Sequence, residues 1–102
     1  MKEFKEVLSY ADEALECAEE YANEAAKHKE QYPDLAALYY RCAADCHTHA
    51  EQLSTHAWRM VEECEKKNPE HASWMRHVWE YAREMRMKRI ERVKHMMEMY
   101  KG

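Results

Sequence analysis

The only glycine in this 102-residue chain is Gly102, the last residue, and the only prolines are Pro33 and Pro69. Glycine reaches left-handed backbone without steric cost. No internal position therefore offers a tight hairpin turn, a phosphate-cradling loop or a glycine hinge. β-Branched residues are also few, which argues against sheets. The sequence predicts an all-α chain forming a single domain over residues 1–102.

The prolines divide that chain. Lys27-His28-Lys29 supplies the cations favoured at a helix C-terminus, and Pro33-Asp34 then opens a new helix. Asn68-Pro69-Glu70 is a second start signal, with Asn as N-cap, Pro at the first helical position and Glu in the first turn. Helices are expected at about 3–30, 34–66 and 70–100. Both joints are short, so consecutive helices should run antiparallel in an elongated three-helix bundle.

Each segment carries apolar residues at the three-to-four spacing of an amphipathic helix. In the first they are Phe4, Leu8, Ala11, Leu15, Ala18, Ala22 and Ala25, with Cys17 on the flank. In the second the stripe is Leu35, Leu38, Cys42, Cys46, His49, Leu53, Ala57, Met60 and Cys64, which leaves His47 on the solvated side. Leu53→Ala should then cost about 2–5 kcal/mol if its site is buried. The third helix has two adjacent stripes. One holds Trp74, Val78, Tyr81, Met85, Met96 and Met99, the other Met75, Trp79, Ala82, Ile90, Val93, Met97 and Tyr100. Their joint arc is too wide for one neighbour. Either this helix packs against both others, or part of it meets a second chain. Methionine suits shared surfaces, and a slender bundle buries a modest share of its area. The expectation is a homodimer, with Trp74, Met75, Trp79, Met85, Met96 and Met97 at the interface.

Charge is unevenly distributed. Residues 1–30 carry net −5, residues 33–68 net −2 and residues 69–102 net +3, for −4 overall. An acidic first helix lying beside a basic third one accounts for this. Arg83, Arg86, Lys88, Arg89, Arg92 and Lys94 raise nucleic acid as an alternative partner. The negative total and the interleaved Glu80, Glu84, Glu91 and Glu98 speak against it. No stretch is apolar enough to span a membrane, and the chain opens without a signal-peptide pattern. A cytoplasmic protein is expected, with Cys17, Cys42, Cys46 and Cys64 as free thiols.

Chemistry, if any, is concentrated in Arg41–Leu53. On a helix Cys42, Cys46 and His49 project to one side, and thiolate plus imidazole suits Zn(II), Fe(II) or Cu(I). A fourth ligand would have to come from another helix or subunit. The competing reading treats the cysteines as small hydrophobes and His49 as a core residue. No Ser/His/Asp, Cys/His/Asn or paired-carboxylate arrangement is legible, so no enzymatic activity is expected.

The segment from Ala18 to Leu53 resembles the first helical pair of rubrerythrin-type ferritin-like proteins. The likeness rests on a Tyr before the short turn, an aromatic at Tyr39, and His49-Ala50-Glu51 where that family has Glu-x-x-His-Ala. It implies a helical bundle with ferritin-like character, completed by dimerisation. Of the family's metal ligands in the matched half it leaves only His49. Cys46 stands at the family's Glu, Ala14 near the first-helix Glu, and the third helix has Arg92 three residues before His95. Cys42-Ala-Ala-Asp-Cys46 also looks like one turn of the cysteine-lined copper-storage bundles. The expected function is a non-catalytic interaction or assembly module, without a cofactor, whose third helix self-associates or binds a partner helix. The alternative is a transition-metal-binding bundle through Cys42, Cys46 and His49.

Overall fold

A computed structural model describes residues 2–102 as three helices: α1 (Lys2–His28), α2 (Pro33–Lys67) and α3 (Pro69–Lys101). They pack as an all-α three-helix bundle, with α1 and α2 making the more extensive pairing. The bundle measures 55 × 19 × 16 Å, with a radius of gyration of 16.2 Å. A compact chain of this length would reach about 13 Å. The shape is a rod one helix long, so no residue lies far from solvent.

The joints form as their residues dictate. Asn68 alone separates α2 from α3, and its side chain accepts from the His71 backbone N–H at 3.2 Å. Pro69 follows at the first helical position, where a missing N–H does no harm. Its neighbour α2 has Pro33 at its start but no side-chain cap from Tyr32. At the far end of the rod the Lys29 ammonium donates to the Met99 carbonyl at 3.2 Å. This cation sits on the C-terminal turn of α3, the negative end of its dipole.

The first-helix stripe is buried as expected, from Phe4 through Ala25. The second is not. The fully enclosed residues of α2 are Ala36, Ala43, Ala50, Ala57 and Val61. Leu35 and Leu38 are exposed, His49 is exposed, and Leu53 is only half-buried. The inward side of α2 is therefore rotated by about one residue from the expected stripe. Alanine supplies the reason. It recurs every seventh residue on both partners, at 11, 18 and 25 of α1 and at 36, 43, 50 and 57 of α2. A seven-residue repeat keeps one side of each helix against its neighbour. Small side chains there let the two backbones close up. The bulkier Leu, Cys, His and Met residues are pushed to the margin of the seam. His47 moves the opposite way. Its ring is largely enclosed, with Nδ1 3.6 Å from Glu51 Oε1, which corrects its expected place in solvent.

The large core side chains gather toward the α2/α3 joint, where Phe4, Leu8, Val61 and Met75 pack with Ala57. Trp58 and Trp79 pack beside them with ring centroids 4.8 Å apart and planes tilted by 51°, and Trp79 Nε1 donates to the Ser54 carbonyl at 3.2 Å. Leu15, Val93 and alanines fill the other half. The α3 helix packs mainly its Met75, Trp79, Ile90, Val93 and Met97 stripe on α1 and α2, while Trp74, Tyr81, Met85 and Met99 of the other stripe are exposed. Met75 is fully buried within the chain, and Met96 and Met97 pack on the core. Trp79 is held by its contact with Trp58 and its hydrogen bond. Met75 has no surface left to offer a second chain. Among the six expected interface residues only Trp74 and Met85 are exposed, and Trp74 already carries His71 at 5.5 Å and Lys5 at 5.6 Å.

The expected pairing of acidic α1 with basic α3 forms. Glu19 receives Arg89 at 2.8 Å and Arg92 at 3.3 Å, and Asp12 faces Arg86 at 3.4 Å.

Candidate functional site

Because α3 covers only one side of the α1/α2 hairpin, the other side is left without a neighbour. Helical spacing sets Tyr10, Ala14 and Cys17 of α1 along it, with Leu35, Leu38, Cys42, His49, Leu53 and Met60 of α2. Leu38 is 48% exposed, Leu35 39% and Tyr10 58%. A shallow groove of about 680 Å³ runs down the middle, walled by Tyr10, Ala14 and Cys17 on one helix and Cys46, His49 and Leu53 on the other.

The rim on the α1 side is acidic. Glu3, Glu6, Glu13 and Glu20 are exposed along that edge and continue to Glu24, where a hydrogen bond from His28 at 3.0 Å holds the carboxyl below its ordinary range. On the α2 side Asp34, Asp45 and Glu63 alternate with Arg41 and Arg59. The open side is thus an apolar strip with a predominantly negative border.

Three of the four cysteines gather about this groove. All four thiols are free, with Cys17 exposed and Cys42, Cys46 and Cys64 half-buried. Burial pushes the Cys46 thiol up, and nearby Cys17, Cys42 and Asp45 add to the shift. Cys46 is therefore held as the neutral thiol, a weak nucleophile and a poor ligand until deprotonated. The expected trio of Cys42, Cys46 and His49 shares one side of α2, but not an inward one, since His49 faces solvent. Among the described residues no three His, Cys, Asp or Glu side chains converge in a way that could hold a metal ion. Also among them, no helix is long and apolar enough to cross a membrane.

The six basic residues of α3 do not form one surface. Arg86 is buried, Arg89 and Arg92 turn to Glu19 of α1, and Arg83 lies over the Trp79 ring at 5.6 Å on the side of α2.

Sequence reasoning missed the open side of α2 because it took the largest apolar residues to be the buried ones. The signal that identifies it is the alanine repeat beginning at Ala36, one position after Leu35. Comparison of the chain with protein-family models, with curated proteins and with solved structures finds no match.

Proposed function

We propose that this protein is a non-catalytic interaction module whose open α1/α2 side receives a partner helix that is apolar on one side and basic along its flanks. The observation that carries this reading is the open groove of Tyr10, Ala14, Cys46 and Leu53, with Leu38 and Leu35 exposed further along α2, beside the glutamate edge of α1. A single helix laid in the groove and continued over Leu38 would cover both and complete a four-helix arrangement, the usual way an amphipathic helix is recognised. Its flanking Lys or Arg residues would face Glu3, Glu6, Glu13 and Glu20. A second copy of this chain would bring an edge of the same negative sign, so like charges oppose self-pairing through this side.

The test uses a labelled, helix-forming peptide of Leu and Lys and its Leu/Glu counterpart, with fluorescence anisotropy as readout. The Leu/Lys peptide should bind, more weakly as salt rises, and the Leu/Glu peptide should not. Leu38→Asp should abolish binding despite adding a negative charge, because it removes apolar contact. Glu6→Gln with Glu13→Gln should weaken it. Binding unaffected by Leu38→Asp overturns the proposal. So does a protein that is dimeric in solution and becomes monomeric on Leu38→Asp, which would make the occupant a second copy.

A further inference from the structure

A second groove, of about 490 Å³, lies between α2 and α3 and takes no part in the open α1/α2 side. That volume falls in the range of about 300–1,000 Å³ typical of small-molecule sites. Its walls are apolar, formed by Leu15, Ala50, Ile90 and the indole of Trp79. Three of its lining residues, Arg83, Arg86 and Lys94, are cations, against a single carboxylate, Glu51. The Arg86 side chain is only 8% exposed. Its guanidinium has five N–H groups but makes two long contacts, to Asp12 Oδ1 at 3.4 Å and Ser54 Oγ at 3.3 Å. Guanidinium–carboxylate bonds are ordinarily about 2.7–2.9 Å, and a buried cation held this loosely lacks full compensation.

Two more cations stand at the same groove. Arg83 lies over Trp79, Lys94 stands on the rim, and among the described residues neither pairs with a carboxylate. His47 Nε2 is enclosed and has no partner. The one carboxylate at the groove, Glu51, faces the other nitrogen of His47.

We infer that the α2/α3 groove binds a small amphipathic monoanion, an aryl or acyl carboxylate. Its carboxylate meets Arg86 and Arg83 at the Trp79 end of the groove, and its apolar body runs along Leu15 and Ile90 toward Lys94 at the other end. The walls supply contact without direction, and the cations select the charge. Arg86, fixed between Asp12 of α1 and Ser54 of α2, is the positioned donor, the exposed Arg83 lies one turn away, and Lys94 adds positive charge at the groove's other end.

The experiment titrates the protein with anilinonaphthalene sulfonate and with its neutral parent, phenylnaphthylamine, which differ only in the anionic group. The sulfonate dye should bind at least about tenfold more tightly, as expected for charge-assisted hydrogen bonds. Decanoate should displace it and decanol should not. In the double variant Arg83→Gln, Lys94→Gln the preference should fall at least about threefold with helicity unchanged, since two cations are lost while Arg86 remains. In Leu38→Asp, on the other side of the bundle, it should persist. Equal binding of the two dyes overturns the inference. So does a preference that is unchanged by the double substitution or that vanishes in Leu38→Asp.

Discussion

The two sides of the α1/α2 hairpin are built from the same two helices, yet only one is sealed. On the α3 side Phe4, Val61, Met75 and Val93 lose all contact with water. On the other, Leu35 and Leu38 keep much of theirs. The difference is not one of hydrophobicity, since the open side carries more leucine. It is a difference in what lies opposite. Burial is a property of a pair of surfaces, and α3 offers only one.

Stability measurements can break that contrast. Phe4→Ala should have the largest effect, about 3–5 kcal/mol, because a fully enclosed ring leaves a cavity where α1, α2 and α3 meet. Denaturant unfolding checks it, and a cost near that of a surface substitution would mean the large-residue end of the core is loose. Next in size is Ala43→Leu, expected to cost about 1–3 kcal/mol by forcing apart the alanine seam. Its neighbour in sequence, Cys42→Leu, should be tolerated, because Cys42 lies at the margin. Reversal of that order in thermal melts would restore the stripe expected from hydrophobicity and move the seam by one residue.

Leu53→Ala should cost less than a core truncation, about 1 kcal/mol, and Leu38→Ala should fall within about 0.5 kcal/mol of wild type. The half-buried position of Leu53 lowers the value that a buried site would have given. Equal losses at Leu53 and Phe4 would show that the open side is covered in solution.

The smallest effect is chemical. Cys17 should be alkylated by iodoacetamide before Cys46, since Cys46 is half-buried and its raised pKa leaves less thiolate at neutral pH. The Cys46 rate should rise only as pH climbs beyond the ordinary thiol range. The sign for stability follows. A thiol whose folded pKa is raised favours the folded state below its unfolded pKa. That contribution is lost as pH rises through the folded value. Mass spectrometry of partly alkylated protein gives the order directly, and simultaneous labelling would show that the groove does not shield Cys46.

Much of the fold was legible from few residues. Pro33, Asn68 and Pro69 mark the joints because they act on the backbone next to them. The α1 stripe from Phe4 to Ala25 reads correctly because on that helix large and small apolar residues share one side. On α2 they occupy adjacent sides, and a rule that weights side chains by size selects Leu35, Leu38 and His49 over Ala36, Ala43 and Ala50. Met75 and Trp79 were legible as apolar but not as internal, since a wide arc on α3 fits two neighbours in one chain as well as it fits another subunit. The donor-rich groove at Arg86 was beyond reach, because it joins Asp12, Ser54 and Arg86 from three separate helices.

By itself the sequence determined the helices, their ends, their antiparallel order and the attraction between an acidic α1 and a basic α3. Each of these follows from interactions within a few residues of the chain or from summed charge. Only the tertiary structure decided which side of α2 faces inward. That choice depends on how closely two backbones can approach, and alanine's advantage there exists only once the other helix is in place.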